Sequence, residues 1–305
     1  MIAISKYISN YCEKAIIGLL LAAVAIIPLF FDIRLYSVFD LSKVAALYFF
    51  SIATLVIWTI LLTVKHDFSF SHVSINTPIL AYIAIFIIAT TVSINPVMSL
   101  FGTYKRFEGL AATLCYIFLF YVTIHFITTR TRLYVLLISM AGCAVISSIY
   151  GIFQRCGVDY FTWSSSGPRV FSTFGNPVFF AAQLVMVLPV AVSLFFIGFK
   201  GKEDKNGIFI NNRYVIWSFY VVSVIIYIAF WLTNTRACFV ALIGGVVPFL
   251  FFIFIKRSTE RYPFLILVVS FFLIGIFFNV KPETSFIKHF ADDVQKDKDS
   301  ADFFI

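Results

Sequence analysis

The sequence predicts an all-α, polytopic membrane protein: a bundle of about nine transmembrane helices joined by short loops. Three observations predict it. Hydrophobic residues make up 61% of the 305 and charged residues only 12%, whereas a water-soluble domain needs about 25% charged residues to cover its outside. The apolar residues fall into nine continuous runs, most of them near the roughly 20 residues a spanning helix requires. None of the runs shows the period-two alternation of a barrel strand.

The first run, Ala15 to Phe31, follows Lys6 and Lys14 and contains Ala23-Val24-Ala25, which resembles a signal-peptide cleavage site. The run continues through that point, so it reads as an uncleaved span. The second covers Lys43 to Val64, with Asp40 or Ser42 as its expected cap. The third, Pro78 to Ile94, starts behind Thr77, a capping side chain ahead of a proline whose missing N–H costs nothing in the first turn. Gly109 to Thr128 and Leu133 to Phe153 follow. The sixth, Pro177 to Phe199, repeats the cap-then-proline pattern with Asn176. Tyr214 to Leu232, Ala237 to Ile255 and Pro263 to Val280 complete the set. Pro28, Pro189 and Pro248 lie within runs and are expected to kink them. Residues 1–280 form the membrane-embedded domain. Residues 281–305, with four basic and six acidic residues, differ in composition and read as the start of an external loop, cut in mid-loop. Phe286, Phe290 and Val294 give that segment an amphipathic beginning.

Consecutive connectors must lie on opposite faces of the membrane. One set carries twelve basic residues, from Lys6 to Arg261, and the positive-inside rule assigns it to the cytoplasm. The net charge of +8 arises mainly there, where anionic lipids attract it, and is not a nucleic-acid signature. The opposite set still holds seven: Arg34, Lys43, Lys105, Arg106, Arg155, Arg169 and Arg236. Positive charge kept outside against the bias points to an anionic ligand. The five cysteines show no metal-site or disulfide spacing; Cys156 alone sits in an external loop.

Three external segments carry the motifs. In SLFGTYKRFEGL (Ser99 to Leu110), Lys105, Arg106 and Glu108 directly precede a helix start, where a carboxylate also suits the helix dipole. In PRVFSTFGNPVFFA (Pro168 to Ala181), Arg169 stands near the Asn176-Pro177 helix entry, and open N–H groups together with a guanidinium favour phosphate. In LTNTRACF (Leu232 to Phe239) the connector is too short to carry Arg236 away from the membrane surface, a costly place unless the charge is partnered or hydrated.

These motifs, in this order and with this span spacing, resemble the O-antigen ligase/polymerase family of bacterial membrane glycan transferases, over about Phe31 to Val280. The resemblance implies an all-helical, multi-spanning, metal-independent enzyme of the bacterial inner membrane, without a cofactor. Its active face is periplasmic, and it moves a glycan from undecaprenyl pyrophosphate to an acceptor glycolipid, glycan or protein in envelope polysaccharide biosynthesis. It implies that Arg106, Arg169 and Arg236 contact the pyrophosphate or its sugar, with Lys105 beside them and Glu108 and Asn176 shaping the same pocket. The family's base is a histidine in a later external loop. Here only His289 is external among the four histidines, and its surroundings do not match. A flippase or transporter of lipid-linked glycans is the reading from another class. It calls for ionisable residues deep in several spans, and these spans are nearly devoid of them. A truncated, inactive fragment is the third reading.

With the N-terminus inside, a cysteine placed at Ser165 in an otherwise cysteine-free chain is labelled from outside intact cells, and one placed at Asn206 is not. Labelling at Asn206 overturns the topology.

Overall fold

The computed structural model of the chain describes residues 2–65, 75–104, 106–161, 163, 169–200, 213–255 and 261–280. These form ten α-helices and one 3₁₀ turn, and no strand occurs among the described residues. The helices are α1 (Ile2–Ile26), α2 (Asp40–Lys65), α3 (Asn76–Thr91), α4 (Pro96–Phe101), α5 (Leu110–Phe126), α6 (Arg130–Arg155), α7 (Pro177–Lys200), α8 (Arg213–Leu232), α9 (Arg236–Ile255) and α10 (Arg261–Val280). The sequence marks 281–305 as a separate segment; it lies outside the described residues.

Among the described residues, five stretches are long and apolar enough to cross a membrane: Ser5–Ile26, Asp40–Lys65, Arg130–Arg155, Pro177–Ile197 and Tyr214–Leu232. Asn76–Thr91, Leu110–Phe126, Arg236–Gly245 and Leu265–Asn279 are shorter apolar helical stretches. Large apolar side chains such as Ile85 and Phe272 stand well exposed. Water would penalise each by a kcal/mol or more, on the order of 25 cal/mol per Å². Hydrocarbon does not, and the chain is a membrane protein.

The helix ends depart from the sequence reading in particular ways. Pro28 does not kink the first helix; α1 stops at Ile26, and the chain turns through hydrogen bonds from Leu29 and Phe30 N–H to the Ile26 carbonyl. Thr77 does not cap α3, which starts at Asn76 without a side-chain cap and carries Pro78 inside its first turn. At α2, Asp40 is itself helical, and Ser42 donates back to the Val38 carbonyl rather than capping. Asn176 does cap: its Oδ1 accepts from the Val178 N–H at 2.9 Å. The 95–108 connector contains an unanticipated helix, α4, with Asn95 as its cap and Pro96 in its first turn. Pro189 lies inside α7 as expected.

The chain divides into two compact units, Met1–Cys143 and Ala144–Ile305, and the division falls within α6. In the first unit α1 packs along α2, and α5 packs on both. Ile16, Leu20, Leu61, Val122 and Phe126 form its buried cluster, with Trp58 and Phe118 against it. In the second unit α7 packs on α8 and α9, and α8 packs on α10. Phe180, Leu184, Phe195, Ile226 and Phe230 are its fully buried centre. Tyr227 stacks on Phe271 with centroids 4.1 Å apart, and Trp231 lies parallel to Phe278, joining α8 to α10.

The connector between α4 and α5 closes on itself at two glycines. Gly102 has φ +87°, and a Cβ there would run into the backbone of Phe107 and Glu108. A Cβ at Gly109 would meet the Gly102 nitrogen and the Leu100 carbonyl. Gly102→Ala or Gly109→Ala therefore forces the loop apart and destabilises the detergent-solubilised protein by about 1–3 kcal/mol, the scale of local backbone strain. Gly18→Ala, on a helix with nothing within 4 Å of the new methyl, leaves the thermal midpoint unchanged or slightly raised. Equal midpoints for all three variants would remove the steric argument.

Candidate functional site

The second unit assembles one corner from two motif segments that are far apart in sequence. Val170 N–H donates to the Leu232 carbonyl at 3.2 Å. Beside it, Arg169 Nε donates to the Thr233 carbonyl and one Nη to Thr235 Oγ1, each at 3.0 Å. The turn that receives them is tight: Thr233 and Asn234 N–H donate back to Phe230 and Trp231, and Asn234 is left-handed at φ 47°. Thr235 shares its hydroxyl proton between the carbonyls of Thr233 and Pro177, at 3.3 and 3.4 Å. That last bond ties the start of α7 to the start of α9. Arg236, half-buried, is the first residue of α9.

A second set of bonds holds the same loop down from α6. Ser172 is fully buried, and its φ of 51° is a left-handed conformation that a non-glycine residue rarely adopts. Its N–H donates to Gln154 Oε1 at 2.8 Å, and its hydroxyl to the Ser147 carbonyl at 2.6 Å. Gln154 in turn donates from Nε2 to Asp159 Oδ2. Asp159 gathers three further donors: the Tyr150 hydroxyl, the Phe161 N–H and, at 2.8 Å, the Trp163 indole. Gly151 admits the loop, since a Cβ there would sit 2.9 Å from Val170 and 3.0 Å from the Phe180 ring. Partial burial pushes the Asp159 carboxyl up, but the bonds from Phe161, Trp163, Gln154 and Tyr150 outweigh it and hold the group below the ordinary carboxylate range.

The first unit carries its own charged group. The GTYKRFEG loop folds so that Arg106 and Phe107 N–H both donate to the Thr103 carbonyl at 3.0 Å, with Phe107 at φ 53°. Tyr104 stacks on Tyr36 of the connector between α1 and α2 at 5.9 Å. Asp40, at the start of α2, interacts electrostatically with Lys43, Glu108 and Arg106. Lys43 donates to the Phe30 carbonyl at 3.0 Å and lies over the Phe39 ring. Arg106 and Glu108 are both exposed. Among the described residues, two cations and two carboxylates thus lie within electrostatic reach of one another.

The sequence-derived residues therefore divide. Arg169, Asn176 and Arg236 share the corner of the second unit, while Arg106 and Glu108 belong to the first. Lys105 and His289 lie outside the described residues. Among the described residues, no group of three or more His, Cys, Asp or Glu side chains could hold a metal ion. Sequence reasoning named Asp40 only as a helix cap and missed Gln154 and Asp159. The available signal was Gln154 and Asp159 as polar residues just where an apolar helix ends. Chemically, the corner offers anion-binding groups of two kinds. Arg236 supplies charge, and the starts of α7 and α9 supply the positive ends of two helix dipoles, although at α7 Pro177 has no N–H and Asn176 already takes that of Val178. Arg169 has already committed Nε and one Nη to the protein, so it positions the turn that carries Arg236. Comparison with protein-family models, with curated proteins and with solved structures finds no match.

Asp159→Asn should cost about 1–2 kcal/mol at neutral pH, near the scale of one hydrogen bond to a charged group and at its lower end because the site is only partly buried. The sign follows from the lowered carboxyl. The wild-type contribution is present in full above the unfolded carboxylate pKa, and it is lost as pH falls through the lower folded value. The two proteins should converge in thermal midpoint under strongly acidic conditions. A difference that stays constant with pH assigns the loss to packing instead.

Proposed function

We propose that the protein is an O-antigen ligase-like glycosyltransferase. It binds a glycan linked to undecaprenyl pyrophosphate at the periplasmic face of the bacterial inner membrane and transfers it to an acceptor glycolipid, glycan or protein. A growing glycan as acceptor turns the same reaction into polymerisation. The proposal includes nine spans with the N-terminus in the cytoplasm, which puts the motif loops outside.

One observation supports this reading above the others: the RVFSTFGNP and LTNTRA segments are hydrogen-bonded into a single corner in which Arg169 braces the turn before Arg236. Nothing in a merely interfacial anchor calls for that bracing. In the transfer, the acceptor oxygen bonds to the anomeric carbon as the bond from that carbon to the pyrophosphate oxygen breaks, and the electron pair leaves with the pyrophosphate. Negative charge grows on the leaving group, and fixed guanidinium and N–H donors in a partly dry pocket stabilise it. Arg236 and the helix starts take this role. Arg106, Lys105 and Glu108 are assigned to the same donor on the resemblance of their loop. The acceptor proton needs a base; His289 is the external histidine available for it.

Arginine donates two parallel bonds to phosphate where lysine offers a point charge. Arg236→Lys should therefore weaken binding of a polyprenyl pyrophosphate-linked glycan by roughly tenfold, about 1.4 kcal/mol. Arg169→Lys should do the same and also lower the thermal midpoint, because it gives up the Nε bond to Thr233. Arg34→Lys, outside the motif segments, should change neither. Unaltered carrier affinity in both Arg236→Lys and Arg169→Lys leaves these arginines as structural anchors and removes the proposal.

A further inference from the structure

The first unit contains a cavity of 210 Å³ at the end opposite the 102–109 loop, where α2 and α5 finish and α6 begins. Its lining is mainly polar, with a small apolar part set by Trp58, Leu61, Leu62 and Phe126. Leu61 and Phe126 belong to the buried cluster of the unit, and Trp58 lies against Phe118 beside them. Its rim is charged. Lys65 and Glu13 pair at 2.6 Å across α2 and α1, with side chains 42% and 30% exposed, so that pair is neutral as a unit. Arg132 is half-buried in the wall, and one Nη donates to the Phe126 carbonyl at 2.9 Å, which fixes the guanidinium plane. His125 stands exposed at the mouth, edge-on to the Phe126 ring at 5.0 Å.

The charge balance defines the ligand. Among the described lining residues, one guanidinium and one imidazole stand without a carboxylate partner, both donors suited to oxyanions, and the single carboxylate is paired with Lys65. Among the described residues a divalent cation has no acidic cluster to bind, and the Arg132 N–H groups not used on the Phe126 carbonyl are satisfied better by an oxyanion than by a neutral ligand. We propose that this cavity binds a singly charged phosphodiester group, with the phosphate on Arg132 and His125 and its ester carbons over Trp58. Such a group comes from a phospholipid headgroup or from a soluble phosphate ester. The exposed apolar face of α2 next to Trp58, with Val56 at 53% and Ile60 at 45% exposure, provides a path for acyl chains in the first case. The proposal is independent of the glycan-transfer reading, since it involves none of the residues assigned to that reaction.

The test uses the full chain, purified in detergent, with native mass spectrometry reading bound lipid. The probes are phosphatidylglycerol and diacylglycerol of the same acyl length. The wild type should retain phosphatidylglycerol at least roughly tenfold better than diacylglycerol, and Arg132→Gln and His125→Ala should each lower that retention roughly fivefold. Lys14→Gln, an exposed lysine of α1 outside the cavity lining, should leave it unchanged. If Arg132→Gln loses its thermal transition, His125→Ala decides, because the ring makes only a surface contact. Displacement of the lipid by millimolar glycerophosphoglycerol assigns the site to the headgroup alone, and failure to displace it assigns the site to lipid-borne phosphodiesters. Equal retention of both lipids overturns the proposal. So does wild-type retention in His125→Ala, or an equal loss in Lys14→Gln, which would mark nonspecific surface charge.

Discussion

The structure depends on one constraint: a backbone in hydrocarbon has no water to bond, so each N–H and C=O must find a partner within the protein. A helix meets that demand within a single segment, and the described residues are helical almost wherever they are apolar. The same constraint leaves little for side chains to do inside the spans. Several serines and threonines there return their hydroxyl protons to the preceding turn, as Thr90 does to Phe86 and Ser223 to Phe219. Chemistry is displaced to the helix ends.

At those ends the backbone loses its internal partners, and side chains take over. The segment from Arg155 to Pro177 shows how far this goes. Asp159 satisfies four donors, Gln154 passes the connection on to Ser172, and Arg169 satisfies the turn after α8. Bonds of this kind hold Ser172 and Asn234 in left-handed backbone that each would otherwise avoid. A rigid, polar, partly buried corner results, on helices whose positions are set by aromatic packing beneath it. The connector from Gly102 to Gly109 reaches a comparable closure by another route, backbone against backbone where only glycine fits.

Basic residues at the two ends of the first unit illustrate how similar charges acquire different roles. Arg106 sits in a loop with carboxylates nearby, whereas Arg132 is braced against a helix carbonyl in a mainly polar pocket. Neighbouring groups, and not the residue type, make one a mixed-charge surface and the other a pocket in which Lys65 pairs with Glu13 while Arg132 bonds to a carbonyl.

The sequence by itself determined the helical class and the membrane environment, because apolar runs of spanning length have one physical solution in lipid. It also located several helix starts closely: Pro177 behind its Asn176 cap, and α5 within a residue of Gly109. Charge placement marked seven external basic residues, and the motif segments narrowed them to Lys105, Arg106, Arg169 and Arg236. Tertiary structure decided what composition does not encode. Pro28 ends a helix instead of bending one, since the chain there must turn toward α2. Arg169 reaches across to Thr233 and Thr235, a partnership set by how α7, α8 and α9 pack rather than by any local pattern. Gln154 and Asp159 gained their roles only once the loop folded back over Gly151. Long-range hydrogen bonds depend on which helix ends become neighbours, and periodicity along one chain carries no record of that choice.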